Sequence, residues 1–212
     1  MSRFAELIEG YRRFRDHGWK EQRERWAELA VGQSPKVLII ACSDSRSEPA
    51  QIFDTHPGEI FVIRNVAALI PPFEMTPGRH GTSAALEFAV QFLHVEEVVV
   101  MGHGMCGGCH AALHRTMEGA ERGRGGFVAD WISMLDEASA DIRGRYDDIN
   151  DREARHEMER AAVRVSLANL RSFPCIQEKE KRGKLKLRGA LFAISDGVLH
   201  VLDESSGEFS PA

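Results

Sequence analysis

Apolar residues at Phe4, Leu7, Ile8, Tyr11 and Phe14 recur every three or four positions among charged neighbours. This predicts one or two amphipathic helices over residues 4–30, with Ser2 as N-cap. The pattern then changes. Residues 36–42, 60–66 and 98–101 are short, continuously apolar and rich in β-branched side chains, as expected of strands buried on both faces. A helical pattern from Ser83 to Leu93, with Thr82 as its cap, separates the second and third runs. Strand–helix alternation predicts an α/β fold, a mostly parallel central sheet flanked by helices, with ligands gathering at the carboxyl ends of the strands. Helical patterns follow over 127–143, after the glycines at 123–126, and over 151–172, the latter stopped by Pro174. Segments 189–194 and 198–202 flank Asp196-Gly197 and predict a β-hairpin with a two-residue turn. The chain reads as one domain, 1–212: a helical arm (1–34), an α/β core (35–120), and helices with a closing hairpin (121–212).

Charge narrows the partners. The 212 residues carry 27 Lys and Arg against 32 Asp and Glu, a net charge of -5, which argues against nucleic acid or membrane binding through bulk charge. The basic patch at 179–186 reads as a solvated helix end. Apolar runs fall far short of the ~18 residues that span a bilayer, and Met1-Ser2-Arg3-Phe4 lacks the apolar core of a signal peptide. The expectation is a cytoplasmic protein whose four cysteines, Cys42, Cys106, Cys109 and Cys175, stay reduced.

The densest chemistry is Gly102-His103-Gly104-Met105-Cys106-Gly107-Gly108-Cys109-His110, directly after the third strand. It meets four patterns. Gly102, Gly104 and Gly107 fit a dinucleotide-binding G-x-G-x-x-G, but two strands precede it where that fingerprint opens its fold. Cys106-Gly107-Gly108-Cys109 is a C-x-x-C dithiol, and with His110 it spells the haem-attachment C-x-x-C-H. The fourth pattern, His103-x-x-Cys106, joins Cys42-Ser43-Asp44-Ser45-Arg46 at the end of the first strand. Two thiolates, an imidazole and a carboxylate from two strand ends suit zinc, against the bland alternative of buried cysteines and a satisfied core histidine.

In extended backbone Cys42, Asp44 and Arg46 leave the same face, so Arg46 can take the Asp44 carboxylate and open the fourth metal position to water. An open site gives zinc-bound hydroxide, a nucleophile for a small carbonyl-type electrophile, with the Gly107 and Gly108 N–H groups meeting the developing anion. A closed site, with Asp44 on the metal, gives a structural or sensor protein.

These two segments resemble the signature of the β-class carbonic anhydrases. So do Pro57-Gly58-Glu59-Ile60-Phe61-Val62-Ile63-Arg64-Asn65-Val66-Ala67, residues 80–90, Leu167-Ala168-Asn169-Leu170 and Phe173-Pro174. The resemblance implies reversible hydration of carbon dioxide to bicarbonate and a proton, with zinc on Cys42, His103 and Cys106. It implies that Asp44 shares the fourth position with water, and that Asp44 with Arg46 forms the catalytic dyad. It also implies a homodimer or tetramer with the arm helices on the partner subunit and the cleft at the interface. A related lyase acting on a sulfur analogue of carbon dioxide shares the scaffold by the same resemblance. Four positions depart from the usual pattern. Ala68 stands where Asn is common. His56 replaces a substrate-positioning Gln and is assigned with Gly107 to substrate binding. Cys109 replaces an aliphatic residue, and Ile39 replaces the Trp of members that hold inhibitory bicarbonate. Arg64 and Asn65 are expected to support the sheet end or the interface. His110 and His114, one turn apart, are not expected to hold a second metal.

Overall fold

The three apolar runs form neighbouring parallel strands: β1 (Val37–Cys42), β2 (Ile60–Asn65) and β3 (Glu97–His103), with β1 in the middle. β1 and most of β3 are covered on both faces and so have no polar side, whereas β2, at the sheet edge, is half-buried apart from Ile63. Leu38 and Ile40 enter one core with Val98, Val100, Leu86, Val90, Val163 and Leu167. Ile39 and Ala41 point the other way, toward Met101 and Ala190. The computed structural model describes residues 2–212. They divide into two compact units, one ending at Ser34 and the other spanning Pro35–Ala212.

The first unit holds three helices rather than one or two: α1 (Arg3–Asp16), α2 (Gly18–Glu21) and α3 (Arg23–Leu29). His17 and Gln22 leave helical geometry and break the run. Ser2 caps α1, its hydroxyl accepting the Ala5 N–H. None of the three helices buries a residue fully, and Phe4, Leu7, Tyr11 and Phe14 form an exposed apolar stripe along α1.

In the second unit β1 leads through α4 (Pro49–Ile52) to β2, and β2 through α5 (Gly81–Glu87) and a π-helical turn, Phe88–Phe92, to β3. Thr82 is not the cap of α5. His80 occupies that position without a side-chain bond, and Thr82 lies inside the helix. After β3 come α6 (Gly107–His114), α7 (Gly126–Ile132) and α8 (Asp136–Arg145), a 3-10 turn at Ser133–Leu135 splitting the expected 127–143 helix. Next are α9 (Arg152–Leu170) and α10 (Pro174–Lys181). Pro174 opens α10 at its first turn, where a missing N–H costs nothing, while α9 has already stopped at Leu170.

The chain closes with β4 (Lys186–Ala193), β5 (Val198–Asp203) and β6 (Glu208–Pro211). The sheet order is β2-β1-β3-β4-β5-β6, the first four strands parallel and the last two antiparallel. The hairpin connection is four residues, Ile194 to Gly197, not two. Gly197 takes the left-handed φ of 74° and returns its N–H to the Ala193 carbonyl. The short β6 follows a second tight turn and lacks the apolar run that would mark it in the sequence.

Helix α9 packs on β3 and β4 and also against α6 and α8. Close approach explains Gly102: a Cβ there would lie 2.9 Å from Val163 Cγ2 and 3.0 Å from Leu191 Cδ1. The first glycine of the dinucleotide-like pattern therefore serves helix–sheet packing. Gly102→Val overfills this contact and is expected to cost about 1–3 kcal/mol, read as a lower midpoint in urea unfolding.

Candidate metal centre

Parallel pairing ends β1 and β3 on the same side of the sheet, with Ala41 level with Met101. Cys42 and His103 are thus the last residues of adjacent strands, and the following turn delivers Cys106. One donor atom from each, two Sγ and an imidazole nitrogen, all lie within 4.8 Å of one another, and all three residues are buried.

The imidazole is set for a cation. His103 Nδ1–H donates to the Gly104 carbonyl at 2.9 Å, which leaves Nε2 with a free lone pair. That Nε2 is buried and has no hydrogen-bond partner, an arrangement that costs stability unless an acceptor of its lone pair arrives. The thiols carry a matching signature. A hydrogen bond to Cys106, and then burial, pushes Cys42 up to about 12. A hydrogen bond to Cys109, and then burial, pushes Cys106 up to about 12. Two soft donors and a neutral imidazole in a dry site fit zinc.

Asp44 sits beside this cluster and not within it. Arg46 Nε donates to Oδ1 at 2.9 Å and Nη2 to Oδ2 at 2.7 Å, a bidentate pair. The guanidinium holds the Asp44 carboxyl well below the usual carboxylate range. Oδ2 is 4.0 Å from His103 Nε2. The pair forms, but not by extended alternation. Asp44 caps a 3-10 turn, Ser45–Ser47, Oδ1 also accepting the Arg46 N–H at 2.9 Å, and this turn folds the guanidinium back. Arg46 Nη2 reaches the Met105 carbonyl at 3.2 Å as well, linking the two ligand-bearing loops.

Gly107 begins α6, with Cys106 at its N-cap, and space is open where a Cβ would stand. Gly108 faces the Val66–Ala68 turn, where a Cβ would come within 2.8 Å of Val66 Cγ1. His56 is exposed in the loop before β2 and its N–H donates to Glu59. That loop enters β2 at the end paired with Val37, whereas Cys42 pairs at the other end, so His56 lies at the opposite edge of the sheet from its own chain's cluster.

The expected support at the sheet end takes a definite form. Arg64 Nε donates to the Cys42 carbonyl at 2.9 Å and Nη2 to the Asp44 carbonyl at 2.6 Å, while Nη1 pairs with Glu48. Asn65 closes the next turn through two bonds with Leu69. Ala67 and Ala68 in that turn have φ of 62° and 55°, a left-handed geometry that Asn tolerates better than Ala. Ser166 and Asn169 of α9 bond the Ala68 and Ile70 carbonyls. Glu159 went unnoticed in the sequence. It is 5 % exposed, and Oε1 accepts the Cys106 N–H at 3.2 Å. Its signal was available: a charge in register with the apolar positions Ala162, Val163 and Leu170 of α9. Burial raises its pKa.

Residues 37–199 match the family model described as carbonic anhydrase. The chain is 34 % identical over 194 residues to β carbonic anhydrase 5, chloroplastic, of Arabidopsis thaliana, covering 91 % of this chain and 62 % of that one, somewhat under two thirds of its length. It is 34 % identical over 204 residues to the carbonic anhydrase of Pseudomonas aeruginosa, covering 96 % and 90 %. The solved β-carbonic anhydrase CcaA superposes with a TM-score of 0.91 at 29 % identity, covering 100 % of this chain and 93 % of that one. One of two tetrameric β-carbonic anhydrases of Sordaria macrospora superposes with a TM-score of 0.77 at 26 % identity and 98 % coverage of both. Likeness in sequence runs through the strand ends that carry the three donors, and likeness in structure runs through the whole sheet; the chain belongs to the β-class carbonic anhydrases.

Proposed function

We propose that this chain catalyses the reversible hydration of carbon dioxide to bicarbonate and a proton, with zinc held by Cys42, His103 and Cys106. The observation that carries the reading is the Asp44–Arg46 pair. Three protein donors, the number found at catalytic zinc sites, converge without the carboxylate because the guanidinium occupies it. Zinc bound there supplies a Lewis acid that ionises water and polarises substrate. Asp44 stays ionised throughout the physiological range, so it accepts a hydrogen bond from a water beside the cluster and directs that water's lone pair toward carbon. Arg46 keeps Asp44 off the metal. The first-turn N–H groups of α6, at Gly107 and Gly108, lack intrahelical acceptors and face the charge that grows on the product. The closed structural site is disfavoured by the same bidentate pair. The family match does not favour the sulfur-analogue lyase, for which carbon disulfide is the probe.

The reading extends to a homo-oligomer. β2 is an edge strand, and Phe88 and Phe92 stack beside Phe61 while 45 % and 69 % exposed, an apolar patch at an unpaired edge. A second copy on that edge, in a chain with tetrameric relatives, would also give His56 a route to the partner subunit's metal cluster. A reducing, cytoplasmic setting is supported by four free cysteines.

Arg46→Ala is expected to keep zinc and lose at least about 100-fold in carbon dioxide hydration, measured by stopped flow from about pH 6.5 to about pH 9 with metal content checked in parallel. Equal rates in the two proteins sink the dyad; inactivity of both, with turnover of carbon disulfide, selects the sulfur lyase. Because both thiols are held protonated until the metal displaces their protons, zinc binding should release about two protons and weaken by about 100-fold per pH unit on acidification, measured by calorimetry in two buffers. Phe92→Glu should shift the sedimentation profile toward a smaller species.

A further inference from the structure

One motif is left over from the metal centre: Cys109, three residues beyond Cys106. Cys106 is the N-cap of α6 and Cys109 its third residue, a spacing that sets the two Cα atoms about 5–6 Å apart, within the range disulfides span. Of the groups that act on the Cys106 thiol, Cys109 acts most strongly. Both are buried, Cys109 at 4 % exposure. They are nonetheless reachable: a cavity of about 280 Å3 is lined by both cysteines, Gly107 and Met105, and Met105 is 65 % exposed. Cys42 is the other thiol near Cys106, but pairing with Asn65 of β2 and Arg64 on its carbonyl hold it in place.

We propose that Cys106 and Cys109 form a peroxide-sensitive dithiol, a modification site at which oxidation withdraws one ligand and empties the metal centre reversibly. The proposal rests on the zinc reading above. The Cys106 sulfur attacks one oxygen of a hydroperoxide, the O–O bond breaks, and the second oxygen leaves as water or alcohol with a proton, giving a sulfenic acid. Cys109 sulfur then attacks Cys106 sulfur; the S–O bond breaks and water departs with the Cys109 proton. Two thiols and one hydroperoxide become a disulfide, one water from the sulfenic acid and one water or alcohol from the peroxide, and zinc leaves at unchanged oxidation state. A dithiol reductant reverses the step.

The test treats zinc-loaded protein with hydrogen peroxide and follows zinc with a chelating dye and the cysteines by peptide mapping. Wild type should release zinc, show a Cys106–Cys109 disulfide with the loss of two hydrogen atoms, and regain zinc after dithiothreitol and fresh metal. Cys109→Val, with Cys109→Ala as a second replacement should the first misfold, should bind zinc and hydrate carbon dioxide as wild type does. After peroxide it should lose zinc at least about tenfold more slowly, and not recover it with reductant, because Cys106 is carried on to the sulfinic acid. A Cys42–Cys106 disulfide in wild type, or equal zinc release from the variants, overturns the proposal. Absence of hydration in protein that nonetheless forms the Cys106–Cys109 bond and releases zinc rejects the hydratase reading alone.

Discussion

Parallel pairing of β1 with β3 is the constraint from which the rest follows. Parallel strands end on the same side of a sheet, and their register here brings Cys42 and His103, sixty-one residues apart in sequence, to adjacent strand ends. The crossover between them must carry β2 and α5 around the sheet and return, which sets Leu86 and Val90 against Leu38 and Ile40. A shift of one residue in β1 would turn Cys42 to the other face and put Ala41 in its place, so the core residues Leu38 and Ile40 that fix the register also fix the metal site.

Holding two thiols and an imidazole together in a dry pocket is unfavourable unless something compensates, and the structure compensates through the backbone. Arg64 grips the carbonyls of Cys42 and Asp44, and Glu159 takes the N–H of Cys106. Beside them the left-handed pair Ala67–Ala68 is held by Asn65 on one side and Ser166 and Asn169 on the other. Strain of this kind persists only when the surroundings over-determine it. Helix α9 supplies both Glu159 and Ser166, so one helix braces the metal loop and the turn on which Gly108 packs.

In the functions proposed for them, the Asp44–Arg46 pair and the dithiol act on the same zinc site from different sides. Arg46 governs whether a carboxylate reaches the cluster, through two charge-assisted bonds that persist at any physiological pH. Cys109 governs whether Cys106 stays, through a neighbouring sulfur on the same helical turn. One sets the open coordination that chemistry needs; the other gives the centre a route to disassembly that an aliphatic residue at position 109 would not offer.

Much of this was legible along the chain. The apolar runs named three strands because short β-branched apolar segments fit few other elements, though β2 proved to be a half-buried edge strand, and Cys42, Asp44, Arg46, His103 and Cys106 stood out because few other chemistries use those side chains together. Local order near the helix ends was less legible. Thr82 and Pro174 have the right residue types for a cap and a stop, yet tertiary packing placed the helix boundaries elsewhere. The Asp44–Arg46 pair was anticipated, but its geometry comes from a 3-10 turn and not from an extended strand, since the loop must bend back across Met105. Glu159 gained its role, and Arg64 the particular groups it holds at the sheet end, only in three dimensions. What they hold are backbone groups of residues distant in sequence, and a backbone N–H or carbonyl carries no residue type that a linear pattern could read. Sequence by itself thus determined the donor set and the strands that bear it; tertiary structure decided which face each donor meets, what braces it, and that His56 lies at the far edge of the sheet, because those depend on register and crossover, which are properties of pairing between segments.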